Sequence, residues 1–177
     1  MNENDVIKLV LDELTKRSFI NNYDISFKNT ESLLYSYNKL KKNIEIRKEQ
    51  IKDLETEGLP GRSPSIILNK PKTNYNLNDP VDVAINDIEK QIKSTQAIID
   101  YIDKVLNEFK DDSYFDIIRL KYFEGKKNEE IAEYYDKKLK KKDKITATST
   151  ITKNKNRLIK EIRIMLIPNV YVRSLMN

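Results

Sequence analysis

The feature that most constrains this chain is a heptad seam in which Ile85, Ile88, Ile92, Thr95, Ile99, Ile102, Leu106 and Phe109 recur at alternating spacings of three and four. That spacing keeps one face of an α-helix apolar along its length, whereas a strand would scatter the same residues over both of its faces. Asp79 can cap the run and Pro80 suits a first helical position, so a helix is predicted over 80–109. An earlier run, 30–56, also lacks Gly and Pro, and Leu33, Tyr37, Leu40, Ile44, Ile51 and Leu54 repeat in the same way, with only Arg47 interrupting. Between the two lies EGLPGRSPS, whose Gly58, Pro60, Gly61 and Pro64 no helix sustains; residues 57–79 read as a connector. Residues 4–17 form a short amphipathic pattern with Val6, Leu9, Val10 and Leu14 on one side. The expected outline is a long, coiled-coil-like helical arm over 1–110. Its two seams can fold back as an antiparallel hairpin or pair between chains, the second arrangement making a homo-oligomer.

Composition narrows the chemistry. Only 3 of 177 residues are Gly, while 34% are charged and 38% hydrophobic, a balance that favours long helices over many short strands. Cys and His are absent, which removes thiol nucleophiles, imidazole bases, disulfides and the common zinc and haem ligands together. No enzyme, cofactor or metal site is expected. Asp111, Asp112 and Asp116 surround a helix start, where acids suit the positive dipole end, and no oxygen-rich loop encloses them. GLPGRSPS lacks the GK[ST] ending and the preceding strand of a phosphate loop, and is read as a turn or hinge. The opening MNENDVIKLVLDELTKRS scatters acids among its apolar residues and never reaches a signal-peptide core, and no run approaches the roughly 18 apolar residues of a membrane span. An intracellular protein without membrane attachment is expected.

Charge is distributed unevenly. Residues 1–110 hold 17 Lys+Arg against 18 Asp+Glu, whereas 111–177 hold 16 against 10, and from Lys137 onward the balance is 12 to 2. A basic end of this kind suits phosphate, acidic lipid or an acidic protein.

Within that end, residues 113–135 contain two apolar helical patterns joined at Glu124-Gly125: Phe115, Ile118, Leu120 and Tyr122, then Ile131, Ala132 and Tyr135. Gly125 falls where a chain leaving a helix needs a left-handed residue, and Asn128 followed by two acids reads as a cap. A third helix is predicted over 148–166, capped by Thr148 or Ser149, with Ile151, Leu158, Ile162 and Met165 or Leu166 inward. Its other face presents Ser149, Thr152, Lys153, Asn156 and Lys160, flanked by Lys155, Arg157 and Arg163. Lys and Arg reach phosphates, while Asn, Thr and Lys can read base edges in a major groove.

IIRLKYFEGKKNEEIAEYY, then TSTITKNKNRLIKEI, resembles sigma factor region four, in which a helix ending near EG leads to a helix containing EEIA and then to a recognition helix. The wider layout, with SFKNTESLLYSYNKL before a helical arm, a Gly/Pro connector and a second long helix, is similar to phage-encoded late-gene transcriptional regulators of the RinA and ArpU type. The resemblance implies an all-α chain with a helix-turn-helix over 111–177. It also implies sequence-specific binding of double-stranded DNA, a role as a phage or prophage late-gene activator, RNA polymerase as a further partner, and a place in the bacterial cytoplasm at the nucleoid. On this reading the helix starting near Ser149 enters the major groove, with Thr148 the first of its DNA-binding residues; Ser149, Thr152, Lys153 and Asn156 read bases, and Lys155, Arg157 and Lys160 anchor phosphates. The chain departs from region four at DKKLKKKDKITA, residues 136–147, a lysine-rich insertion that extends the second helix into a phosphate-gripping loop or forms a disordered bridge.

Three other readings stand beside this one. An alternative sigma factor needs a promoter-melting region that residues 1–110 do not resemble, and binding to core polymerase would reveal it. The DNA-recognition subunit of a phage terminase would assemble as a ring, visible in its solution mass. A structural interaction protein whose basic end binds an acidic partner would lose DNA affinity at moderate salt and show no preferred sequence.

Overall fold

The computed structural model describes residues 3–16, 27–59, 79–138 and 146–166. The elements are α1 (Glu3–Lys16), α2 (Phe27–Glu57), α3 (Pro80–Asn107), α4 (Asp116–Ile118) continuing into a π-helical stretch (Arg119–Phe123), α5 (Asn128–Lys138) and α6 (Thr148–Leu166). No strand occurs among the described residues, as expected of an all-α chain. No helix among them is long and apolar enough to cross a membrane. Most of the connector, residues 60–78, and residues 139–145 of the lysine-rich insertion lie outside the described residues.

The chain divides into two compact units, one of Lys39–Ile99 and one of Met1–Asn38 with Asp100–Asn177. The first holds the later turns of α2 and the earlier turns of α3. Leu40, Ile44, Ile85, Ile98 and Ile99 are buried there, and Ile51, Leu54, Ile88 and Ile92 are half-buried. Thr95, also buried in the seam, satisfies its hydroxyl by donating to the Gln91 carbonyl at 2.7 Å. Local chemistry sets the ends of both helices. Gly58, at φ +76°, closes α2 with its N–H on the Leu54 carbonyl at 3.1 Å. Asp79 opens α3 by accepting the Val81 N–H at 3.0 Å, ahead of Pro80 in the first turn.

The second unit comprises α1, the first turns of α2, the last turns of α3 and the C-terminal helices. In α1, Val10 is buried and Leu9 is 43% exposed; the side chains of Val6 and Leu14 lie outside the described set. Tyr37 of α2 donates its hydroxyl to Asp103 of α3 at 2.5 Å, stacks on Phe123, and is followed by Asn38, whose amide donates to the Phe123 carbonyl at 2.7 Å. Tyr101 of α3 donates to the Leu166 carbonyl at 3.2 Å, satisfying the last turn of α6.

A small apolar core joins the three C-terminal segments: Ile117 and Leu120 from the first, Ile131, Ala132 and Tyr135 from α5, and Ile151 from α6, with Tyr114 and Tyr134 packed against it. Each large side chain buried there contributes about 1.5–3 kcal/mol. The first segment departs from the expected α-helical pattern. Its turn is widened, the Glu124 N–H donating to the Arg119 carbonyl and the Lys126 N–H to the Leu120 carbonyl, with Gly125 left-handed at φ +69° between them. Ahead of it Ile117 is fully buried, sharing a face with Leu120 three residues on, whereas Phe115, expected inward, is half-buried.

Candidate functional site

The helix starts near α6 differ from expectation by one residue or two. At α5 the Lys127 carbonyl accepts the Ile131 N–H at 3.1 Å, so Lys127 stands at the cap position. Glu130 reaches back to the Lys127 N–H at 2.8 Å, the reciprocal half of a capping box. That N–H, and secondarily Lys126, holds the Glu130 carboxyl below its usual range. Asn128, expected as the cap, is inside the first turn, and its amide donates to the Thr152 hydroxyl on α6 at 3.2 Å. At α6 the Ala147 carbonyl accepts from Thr150 at 2.9 Å, which places Thr148 and Ser149 in the first turn and not at the cap. The entry is set one residue earlier still, where the Thr146 N–H donates to Asp136 at 2.7 Å.

The inward face of α6 is Ile151, Leu158, Ile159, Ile162 and Leu166, all buried; Ile159 escaped the sequence pattern, and Met165 is 41% exposed. Of the residues expected to face a ligand, Thr148, Ser149, Thr152, Lys153 and Lys160 are exposed and Asn156 is half-buried. Ser149, Lys153, Asn156 and Lys160 follow one another at spacings of four, three and four, so they form one line along the helix. Thr152 stands at its edge, donating to the Thr148 carbonyl at 3.0 Å while accepting from Asn128.

Lys155 and Arg157 are engaged within the protein. Lys155 contacts Glu31 of α2 at 2.8 Å, with only 18% of its side chain exposed. Glu31 also accepts from the Tyr122 hydroxyl at 2.6 Å. Burial alone would raise the Glu31 pKa, but the hydrogen bonds from Lys155 and Tyr122 bring it below its usual value. Burial first, and Glu31 second, push the Tyr122 phenol far above its own. Arg157 contacts Asp112 at 2.8 Å and Glu161 one turn along α6 at 3.3 Å. Hydrogen bonding to Asp112 is the chief reason its pKa is raised. The other Asp112 oxygen accepts the Tyr114 N–H at 2.8 Å, so this carboxylate also shapes the entry to α4. Asp116 accepts from Lys138 at 2.6 Å and from Tyr134 at 2.7 Å, tying α4 to α5. None of these three carboxylates was assigned a partner by the sequence pattern.

Among the described residues, Lys153 and Lys160 have no ion-pair partner, and no group of acids is placed to hold a metal. The line on α6 is a convex surface of hydroxyl, amide and ammonium groups. Such a surface recognises a polyanion by charge and by hydrogen bonds, with no cavity needed. Comparison with models of protein families, with curated proteins and with solved structures finds no match for the chain.

Proposed function

We propose that the C-terminal helices bind double-stranded DNA as a helix-turn-helix, α6 entering the major groove and α5 packed behind it, and that the protein regulates transcription. The observation that carries this reading is the amphipathic division of α6: the core takes its apolar stripe and leaves Ser149, Lys153, Asn156 and Lys160 in one outward line. An α-helix fits a major groove about 12 Å wide, where Asn can pair with adenine, Lys with guanine or phosphate, and Ser with either partner type. The polar line begins in the first turn of α6, the end of a recognition helix that usually meets base edges. The resemblance to RinA- and ArpU-type regulators supplies the biological setting, activation of phage late genes with RNA polymerase as a partner.

The test is selection of bound duplexes from a random pool, followed by titration of the selected and a scrambled duplex at several salt concentrations. A recovered motif with affinity that falls steeply as salt rises is the expected result. Recovery of no motif, together with equal affinity for both duplexes, would reduce the protein to a non-specific polyanion binder. Binding that does not respond to salt would refute the electrostatic basis of the proposal.

A further inference from the structure

Lys155 and Arg157 are separated by two residues, and at 3.6 residues per turn two residues advance about 200° around a helix. Their side chains therefore leave α6 on opposite sides, Lys155 within the buried stripe, four residues from both Ile151 and Ile159, and Arg157 on the outer side, and each ends on an acid from outside the helix: Glu31 for Lys155 at 2.8 Å and Asp112 for Arg157 at 2.8 Å. The line of Ser149, Lys153, Asn156 and Lys160 lies on the outer side, and Arg157 borders it, four residues from Lys153 and three from Lys160. Both acids are themselves held, Glu31 by the Tyr122 hydroxyl and Asp112 by the Tyr114 N–H.

Two directional ties to different parts of the chain, one on each side of the axis, restrain roll about it, which non-directional apolar contacts restrain less sharply. A side-chain tip about 5–6 Å from the axis moves about 1 Å for 10° of roll. Recognition groups need placement to within about 0.5 Å. From this geometry we propose that Lys155 and Arg157 are positioning residues, fixed by Glu31 and Asp112 to set the roll of α6, and that its phosphate contacts come from Lys153 and Lys160. The proposal rests on the DNA-binding reading, reassigns the two cations that sequence pattern alone places among the phosphate anchors, and moves Lys153 from the base readers to the phosphate contacts.

The experiment replaces each cation by Met, which keeps an unbranched stem and helix propensity while removing the charge. Binding of the full chain to the selected and the scrambled duplex is measured across a salt series, and melting by circular dichroism accompanies each variant. Lys153→Met and Lys160→Met should each shallow the salt slope by about one unit and weaken both duplexes alike. Lys155→Met and Arg157→Met should leave the slope unchanged and lower the preference for the selected duplex by about tenfold or more. The reversed pair, Glu31→Lys with Lys155→Glu, should restore that preference, and it carries the test if Lys155→Met does not fold. A phosphate anchor could not tolerate a Glu at 155 whatever stood at 31.

Loss of about one unit of slope in Lys155→Met or Arg157→Met, or failure of the reversed pair to restore preference, would overturn the proposal. A wild-type chain with a flat slope is a different outcome: it overturns the DNA-binding reading itself and the phosphate contacts of Lys153 and Lys160 with it.

Discussion

Gly125→Ala isolates the backbone turn between the π-helical stretch and α5. Gly125 sits at φ +69°, and a Cβ built there meets nothing within 4 Å, so the substitution creates no clash and its cost is conformational alone. Forcing an L-residue into the left-handed region costs about 1–2 kcal/mol. The less flexible unfolded chain returns about 0.4–1 kcal/mol of this. The net loss should be about 1 kcal/mol, provided the turn keeps the Lys126 N–H on the Leu120 carbonyl, now 2.9 Å. Gly125→Asn should be milder, because Asn enters the left-handed region more readily than Ala. Gly58→Ala is the internal comparison, with φ +76° and the same open space around its Cβ. Urea denaturation followed by circular dichroism should show a lower midpoint for both Ala variants with the denaturant slope unchanged. If Gly125→Ala were as stable as the parent, or Gly125→Asn no milder, the left-handed turn would not be what holds the two segments at their angle.

Ile131→Ala empties a fully buried position in the three-segment core and should cost about 2–5 kcal/mol, read as a fall in melting temperature; a loss below about 1 kcal/mol would mean that this core does not hold the unit together. Ile99→Asp places a charge at a position only 2% exposed and should destabilise far more than Ile92→Asp, whose site is half-buried; equal melts would deny the burial gradient along α3. The Glu31 carboxyl titrates below its ordinary 4.5 in the folded chain, so its contribution is present above about 4.5 and is lost as pH falls through the lower folded value. Denaturation profiles over the acid range should accordingly be flatter for Glu31→Gln, and superimposable profiles would contradict the tie to Lys155.

What the sequence made legible was local. Asp79-Pro80 and Gly125 mark a helix start and a turn with residues that do their work within a few positions, and both stand where the pattern put them. The heptad seam on α3 is buried at Ile85, Thr95, Ile99, Ile102 and Leu106 because periodicity alone determines which residues share a face. Helix starts were harder. Asn128 has the stronger intrinsic preference for a cap, but Glu130 could satisfy the N–H of Lys127, and the helix began one residue sooner. Ile117 and Ile159 were missed because each stands beside another buried residue, Ile118 and Leu158, so that the inward face is wider than a single stripe. Glu31 and Asp112 were out of reach for another reason: they meet α6 across 124 and 45 residues of chain, separations at which no local pattern reports a contact.

Those two long-range ion pairs also bear on how the protein's charge should appear in a binding measurement. Sequence counting gives α6 five cations, Lys153, Lys155, Arg157, Lys160 and Arg163, whereas two of them already face carboxylates at 2.8 Å and Arg163 is half-buried with its Nε out of contact with solvent. Each phosphate neutralised contributes about 0.9 to the logarithmic salt slope, so Lys153 and Lys160 alone should give a slope near −2. The lysine-rich insertion adds Lys140, Lys141, Lys142 and Lys144 in sequence, and if all four met phosphate the slope would steepen to about −5. A measured value therefore separates the two contributions, and replacing the four lysines by Gln should return a steep slope to about −2 while leaving sequence preference unchanged. A slope that stayed steep in that variant would assign the remaining ion release to other cations, Lys137 at the start of the insertion among them. A preference lost along with it would mean that the insertion helps to place α6 and does not merely hold the DNA.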